Sequence, residues 1–469
     1  MSQERRLSCI VLAAGQGTRM KSDIPKVLFT VCGRPIIGYV LDAASELCPE
    51  RTVVVVGHGA EEVMDRVSDE WERRESGDLR FVVQQEQRGT AHAVMCARDA
   101  LADFHGDVMV LNGDSTPLIT GGVLKDFRDG HVRCGAGVSF ITAMVDDPDS
   151  YGRVLRTSQG VVGIVEARDL SEDQAAIKEI NSGIYLAEKD LLFDLLSGVK
   201  DDNAKREFYL TDIVGLAVQR GILVYGHVSK DPLQVQGINN RYELSQVEDL
   251  VRREMLRRLA LDGVTVRDIS SVYIDYGVEV GRDTVIEPQT YLRGKTRIGE
   301  GCVIGPGTEI RDSFVGDRTR IRFSVVEDAV VGRDVQIGPY SHIRPDTEID
   351  EGVLVGNFAE IKNSRVGSGS KIHHHSYIGD TDMGGSVNIG AGTVTVNYDG
   401  MRKHRTVIED GAFIGCNANL IAPVKVGKGA YVAAGSTITQ EVPEGALAIA
   451  REYQVNKEGW VARRRGQGR

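Results

Sequence analysis

The chain has 469 residues and is acidic, with 56 Lys and Arg against 67 Asp and Glu and a net charge of −11, so it is long enough for about two or three domains and carries no basic field suited to general nucleic-acid binding. Seven cysteines, none spaced as C-x-x-C, argue against a disulfide or zinc framework and fit reduced cytosolic thiols. There is no cleavable signal and no apolar run near the ~20 residues that span a bilayer, so a cytoplasmic protein without a membrane span is expected.

Residues 9–14 are apolar and read as a buried first strand. The strand breaks into Gly15-Gln16-Gly17-Thr18-Arg19, and Lys26 follows seven residues after Arg19. Glycines let backbone N–H groups approach a phosphate, and two cations can offset polyphosphate charge. Taken alone, G-x-G is equally a plain turn. Met20 stands where a dinucleotide fingerprint needs a small residue, and Thr18 stands against a P-loop. The full string L-A-A-G-x-G-T-R-M-(x5)-P-K resembles the signature of nucleotidyltransferases that activate sugar 1-phosphates.

From residue 9 to about 229, strands alternate with helices: strands at 51–57, 81–85 and 107–111, helices at 35–47, with Pro35 as first helical residue, and at 90–101. Such alternation predicts a mainly parallel, Rossmann-like α/β sheet with helices on both faces and ligands beyond the carboxyl ends of its strands. Gln84 precedes Gly89-Thr90 at a helix N-terminus, a place for an anion or a base edge, or for an ordinary cap. Asn112-Gly113-Asp114 ends the strand at 107–111, where a carboxylate can hold magnesium or simply make a turn.

Further strings follow at Tyr151-Gly152-Arg153, Ile164-Val165-Glu166, Ile180-Asn181-Ser182-Gly183, Tyr209-Leu210-Thr211-Asp212 and Gly237-Ile238-Asn239. In this order they resemble the uridyltransferase half of bifunctional bacterial N-acetylglucosamine-1-phosphate uridyltransferases over about residues 7–250. The resemblance implies that Leu12, Ala13, Ala14 and Gly15 line uracil and ribose, that Arg19 and Lys26 contact the phosphates, and that Gln84, Gly89 and Thr90 read the base. Asn112 stands where members often carry Tyr. Asp114 and Asn239 are implied as magnesium ligands, and Gly152, Glu166 and Asn181 as contacts of the N-acetyl sugar. The stretch Gly113-Asp114-Ser115-Thr116-Pro117 is one residue longer than the family's G-D-x-P, which leaves the loop after Asp114 open.

Residues 240–262 lack Gly and Pro and carry an apolar residue every fourth position at Val247, Val251, Met255 and Leu259, predicting one long linker helix. From 264 a six-residue period begins. Val280, Ile286, Leu292, Ile298, Ile304 and Ile310 are in phase, as are Val331 to Ile361 and Ile408 to Ile438. Hexapeptide repeats of this kind are the signature of a parallel β-helix. Three repeats make a coil, giving roughly ten coils at ~4.8 Å each. Proteins with such repeats resemble one another in being left-handed trimers, often acyltransferases. The period breaks at 393–406, where a protruding loop carries Asn397, Tyr398, Arg402 and Lys403, suited to an anionic substrate.

His373-His374-His375 admits three readings: a two-histidine metal site, surface histidines, or a general base for acyl transfer to an amine. Alternation along a strand lets at most His373 and His375 share a face. The surrounding strings Arg344-Pro345, Gly356-Asn357-Phe358, Glu360-Ile361-Lys362, Tyr377-Ile378-Gly379-Asp380, Asn388-Ile389-Gly390-Ala391 and Asn397-Tyr398-Asp399-Gly400 resemble the glucosamine-1-phosphate N-acetyltransferase half of the same enzymes. That resemblance implies His374 as base, and Arg344, Lys362, Tyr377, Asn388 and Lys403 around glucosamine 1-phosphate. It implies Ala391, Asn397, Tyr398, Cys416, Ala434 and Arg451 along acetyl-CoA, with Cys416 where members often have Ser.

The expected organisation is a uridyltransferase domain at 1–239, a linker helix at 240–262, a left-handed β-helix acetyltransferase domain at 263–455 and a basic, solvated tail at 456–469. The implied function is acetyl transfer from acetyl-CoA to glucosamine 1-phosphate, then uridylyl transfer from UTP with Mg²⁺, in cell-envelope precursor synthesis by a homotrimer. Two alternatives remain: a monofunctional pyrophosphorylase whose β-helix only oligomerises, and a non-catalytic scaffold on the same folds.

Overall fold

The computed structural model describes residues 5–72 and 77–466. Two compact units divide the chain between Val251 and Arg252. Tail positions 467–469 and the first four residues lie outside the described part.

In the first unit the strands are β1 (Leu7–Ala13), β2 (Arg51–Val56), β3 (Asp78–Val83), β4 (Asp107–Asn112), β5 (Val138–Met144), β6 (Arg153–Thr157), β7 (Gly160–Val165), β8 (Glu179–Glu188) and β9 (Val224–Val228). They form one sheet in the order β9-β5-β8-β4-β1-β2-β3, with β6 paired to β8 and β7. Strands β4, β1, β2 and β3 are parallel, and Leu12 at the end of β1 lies level with Asn112 of β4 and Val55 of β2. Strand β8 runs antiparallel between β4 and β5, a reversal that strand–helix alternation does not announce.

Helices α1 (Ile36–Ser45), α2 (Ala60–Trp71), α3 (Thr90–Cys96), α4 (Gly121–Cys134), α5 (Lys189–Leu196) and α6 (Asp212–Gln219) cover the sheet. Alternate strand residues enter two different cores. Cys9, Val11, Val54, Val56, Met109 and Leu111 pack with α1, α2 and α4, whereas Ile10, Val53, Val55, Val108 and Val110 pack with α3, α5 and α6. A strand buried on both faces must be apolar throughout, which is why 51–56 reads Arg-Thr-Val-Val-Val-Val. Several boundaries differ from the sequence reading: the strand expected at 81–85 spans Asp78–Val83, and the helix expected at 35–47 ends at Ser45. Pro35 precedes α1 instead of opening it, and the helix from Thr90 stops at Cys96, with a separate 3₁₀ turn at Asp99–Leu101.

Helix α7 (Arg241–Leu261) carries the chain from one unit into the other. Its buried Leu256, with Met255 and Leu259, packs into the core of the second unit. That unit is a left-handed parallel β-helix. Its short strands stack into three parallel sheets of 11, 10 and 9 strands among the described residues. The in-phase aliphatics form the interior ladder: Ile286 lies level with Ile304, then Ile321, Ile337, Val355, Ile372, Ile389, Ile414 and Val432. Every one of these is buried. Beyond the last coil the described residues are exposed, and they include a helix, Trp460–Gly466.

Candidate active sites

In the first unit the turn after β1 is shaped by Gly17. Its φ is +61°, and a Cβ there would lie 2.6 Å from Cβ of Lys26, so glycine lets Lys26 fold back under the turn. The Lys26 ammonium lies 2.5 Å from Asp114 Oδ2 and 3.3 Å from Asn239 Oδ1. Arg19 donates to the same Asn239 oxygen at 2.8 Å and to Ser150 Oγ at 2.8 Å. Residues from four separate stretches of the chain therefore meet at the carboxyl edge of β1 and β4.

The longer loop after Asp114 is absorbed by pairing. Ser115 bridges antiparallel to Gly237, Thr116 N–H donates to Gln236 O at 2.9 Å, and Ile238 N–H donates to Asp114 O at 3.0 Å. These bonds hold the Asp114 and Asn239 segments side by side. Asn239 is anchored further by its own N–H, which donates to Glu243 of α7 at 2.7 Å. The partly buried Tyr151 donates through its hydroxyl to Gly237 O and accepts from Gly237 N–H, both at 2.9 Å, and desolvation pushes its phenol up to about 12, so it stays protonated.

Two cavities meet at this point. One, of about 460 Å³, is lined by Leu12, Ala14, Gly15, Gln84, Gly89 and other residues. The second, of about 180 Å³, is lined by Tyr151, Gly152, Glu166, Asn181, Asn239 and others. Thr90, Asn112 and Asp114 belong to both walls. Ala13 is buried in the core facing α1 and α2 and lines neither cavity.

The second cavity is rigidly built. Asn181 Nδ2 donates to Tyr185 OH at 2.8 Å, and its Oδ1 accepts from Gly183 N–H at 3.1 Å across an irregularity in β8. At Gly183, φ is +83° and a Cβ would lie 2.1 Å from Asn112 Nδ2, so only glycine fits. Glu166 accepts from Thr211 Oγ1 at 3.2 Å, and burial raises its carboxyl above the ordinary glutamate value. Asp212, next to Thr211, is pushed up to about 6 by burial and by the nearby carboxylates of Glu166, Asp202 and Asp169.

In the second unit His374 ends the strand Lys371–His374 and is exposed. Its Nδ1 lies 2.6 Å from Asn357 Oδ1, and Asn357 occupies the level position on the preceding coil. A carboxamide oxygen only accepts, so the proton sits on Nδ1 and Nε2 keeps a free lone pair. His375 leaves the strand in the left-handed region (φ +45°), so alternation of side chains stops at His374 and does not pair His373 with His375.

Arg344 donates to Glu360 at 2.6 Å. Lys362 and Lys403 lie against each other, and the hydrogen bond between them, with the Lys403 charge, pushes the Lys362 ammonium below the ordinary lysine value. The loop after Val394–Val396 is stapled by Asp399, which accepts from the N–H groups of Met401 and Arg402 and from His404. The backbone N–H of Arg402 heads the causes that hold the Asp399 carboxyl well below the usual carboxylate range. Asn397 donates to Tyr377 OH at 3.4 Å and to Asp380, which also accepts from Asn363. Asn388 is on the strand beside Lys371. Ala391, Cys416 and Ala434 fall at one corner of successive coils: Asn417 N–H donates to Ala391 O and Gly435 N–H to Cys416 O. Arg451 comes next, its Cδ 3.8 Å from where a Cβ of Gly435 would stand.

Three partners escaped the sequence reading: Asn357 behind His374, Glu360 behind Arg344 and Tyr151 behind Asn239. The first was readable in principle, because Asn357 stands two residues after the inward Val355 as His374 stands two after Ile372, its level partner on the next coil.

Comparison with known proteins follows this geometry. Residues 8–233 match the nucleotidyl transferase family, and residues 277–312, 328–363 and 405–440 match the bacterial transferase hexapeptide repeat. The chain is 49% identical to the bifunctional protein GlmU of Geobacillus sp. (strain WCH70) over 97% of each chain. It is 48% identical to that of Geobacillus thermodenitrificans over 98% of each, and 47% identical to that of Caldanaerobacter subterraneus over 99% of each.

Proposed function

The chain belongs to the family of bifunctional GlmU proteins, and from that membership we propose a division of labour between its two units. The chain is a transferase with two activities, nucleotidyl transfer and acetyl transfer. In our reading the second unit acetylates glucosamine 1-phosphate from acetyl-CoA. The first unit then joins the resulting N-acetylglucosamine 1-phosphate to UTP, releasing pyrophosphate.

For acetyl transfer, His374 Nε2 takes a proton from the amine as the nitrogen attacks the thioester carbonyl, and Asn357 steadies the imidazolium that forms. Arg344, Lys362 and Lys403 face the sugar phosphate, with Tyr377 and Asn388 beside it. Coenzyme A runs along the corner of Ala391, Asn397, Tyr398, Cys416, Ala434 and Arg451. For uridylyl transfer, the larger cavity takes the nucleotide and the smaller one the N-acetyl sugar. The sugar phosphate oxygen then attacks the α-phosphorus at their shared wall, where Lys26 and Arg19 offset the charge that moves onto pyrophosphate.

Magnesium fits Asp114 and Asn239. Both present oxygen, the donor type this ion prefers, and both reach one ammonium nitrogen, so a single cation can lie between them. When bound it would supply positive charge to the triphosphate. No group of three or more His, Cys, Asp or Glu among the described residues is arranged to hold a metal ion.

No helix among the described residues is long and apolar enough to cross a membrane. We read the enzyme as cytoplasmic and as a homotrimer assembled through the β-helix, in cell-envelope precursor synthesis. The observation that carries the reading is the pair of adjoining cavities sharing Asp114, with Lys26 and Asn239 at their junction. The test is a pair of assays on wild type and His374→Ala. CoA thiol release should fall by ~10²-fold or more in the variant while pyrophosphate release holds. A wild type that released pyrophosphate but never CoA would leave the β-helix an assembly device only.

A further inference from the structure

We infer that His92 is the positioning residue that makes the nucleotide cavity select uracil over cytosine. The inference rests on the reading that Gln84 faces the base. Gln84 is buried yet lines the larger cavity. A carboxamide is nearly symmetric in shape, so turning it over exchanges donor for acceptor with little steric change. Its orientation must come from its neighbours.

Those neighbours are specific. Gln84 Nε2 donates to Gly89 O at 3.1 Å and lies 3.0 Å from His92 Nδ1. The Gly89 carbonyl can only accept, which assigns the nitrogen to that side. His92 then has to offer Nδ1 as a bare lone pair, with its proton on Nε2. Both amide hydrogens of Gln84 are thereby engaged within the protein, and Oε1 is left without a partner among the described residues. Beside it, the Gly89 backbone N–H donates to no group among the described residues.

An acceptor next to a donor matches the N3–H and O4 of uracil. Cytosine offers a lone pair at N3 and an amino group at C4, so each would meet its own kind, and buried polar groups would be left unpaired. The Gly89 N–H is backbone and cannot be turned over. The Gln84 carboxamide can, and His92 supplies one of the two bonds that prevent it. His92 is the third residue of α3 and only half-buried, so the effect comes from this bond and not from a core role.

The experiment measures kcat/KM for UTP and for CTP, with N-acetylglucosamine 1-phosphate, on the full-length chain. His92→Phe keeps a flat ring and removes the acceptor. His92→Asn places an amide oxygen where Nδ1 stood. The UTP-to-CTP ratio is expected to fall about five- to tenfold in His92→Phe, the weight of one neutral hydrogen bond, and to return to within about twofold of wild type in His92→Asn. The thermal transition of the same preparations reports folding, and His92→Leu repeats the test should the phenyl ring not pack. Equal losses on both nucleotides at an unchanged ratio would overturn the inference, as would an Asn variant no better than Phe. Gln84→Ala separates the layers. If it too leaves the ratio untouched, the reading of Gln84 fails; if it shifts the ratio while His92→Phe does not, only the role of His92 fails.

Discussion

Removing the carboxamide of Asn357 should slow acetyl transfer and nothing else. Asn357 holds His374 through one 2.6 Å contact, from the same position on the preceding coil. In the mechanism proposed above His374 takes the proton of the attacking amine and becomes an imidazolium, so the bond would be stronger in the transition state than before it. A hydrogen bond to a charged group contributes about 1.5–3 kcal/mol. His374 is exposed, so water replaces part of what is lost, and the lower part of that range applies. About 1.5–2 kcal/mol corresponds to a ~10- to 30-fold fall in kcat for Asn357→Ala. KM for glucosamine 1-phosphate should hardly move, because the Asn357 side chain bonds to His374 and not to Lys362 or Lys403, the lysines proposed to face the phosphate. Asn357→Asp keeps an acceptor and should retain most of the rate. The assay follows CoA thiol release at saturating substrates, with pyrophosphate release from the first unit as internal control. A loss under ~3-fold in Asn357→Ala, or a matching loss in both assays, would refute the claim that this contact sets the tautomer of the base.

Lys26→Ala removes the ammonium between Asp114 and Asn239; uridylyl transfer should fall by at least ~10²-fold, read as pyrophosphate release, with CoA release unchanged. Lys403→Met should relieve the like charge that depresses Lys362. If Lys362 binds the sugar phosphate as proposed, affinity in wild type should weaken as rising pH removes its proton, and in the variant that weakening should shift to higher pH, seen as KM against pH above about 8. Asp212, raised to about 6 by burial, binds its proton more tightly in the folded chain than in the unfolded one. Its contribution to stability is therefore full below the unfolded value of 3.8 and is lost as pH rises through about 6. Asp212→Asn should raise Tm relative to wild type at about pH 8 by more than at about pH 4, and an equal difference at both would sink the idea.

Both folds were legible because each leaves a periodic trace. Ile337, Ile343 and Ile349 are buried at intervals of six since every coil turns the same three faces inward. Val53 to Val56 are apolar without interruption since both sheet faces are covered. Boundaries were less legible. Helix α3 stops at Cys96 although the apolar spacing continues to Leu101, because a 3₁₀ turn can bury the same residue. His375 departs from strand alternation because the backbone turns a corner there, and a corner has no period.

What the sequence by itself determined, then, is the two architectures and the strings Gly15-Gln16-Gly17-Thr18-Arg19, Gly89-Thr90 and Gly113-Asp114, which sit where strands end. These are local properties, set by neighbours within a turn or a coil. Only the tertiary structure decided that Lys26 meets Asn239, 213 positions away, and Asp114, 88 positions away. It also decided that β8 reverses direction between β4 and β5, and that Asn357 and His92 orient the side chains beside them. A pairwise contact across such distances has no repeat to betray it. It forms only once both units of secondary structure are packed, through bonds such as Thr116 to Gln236 that tie one loop to another.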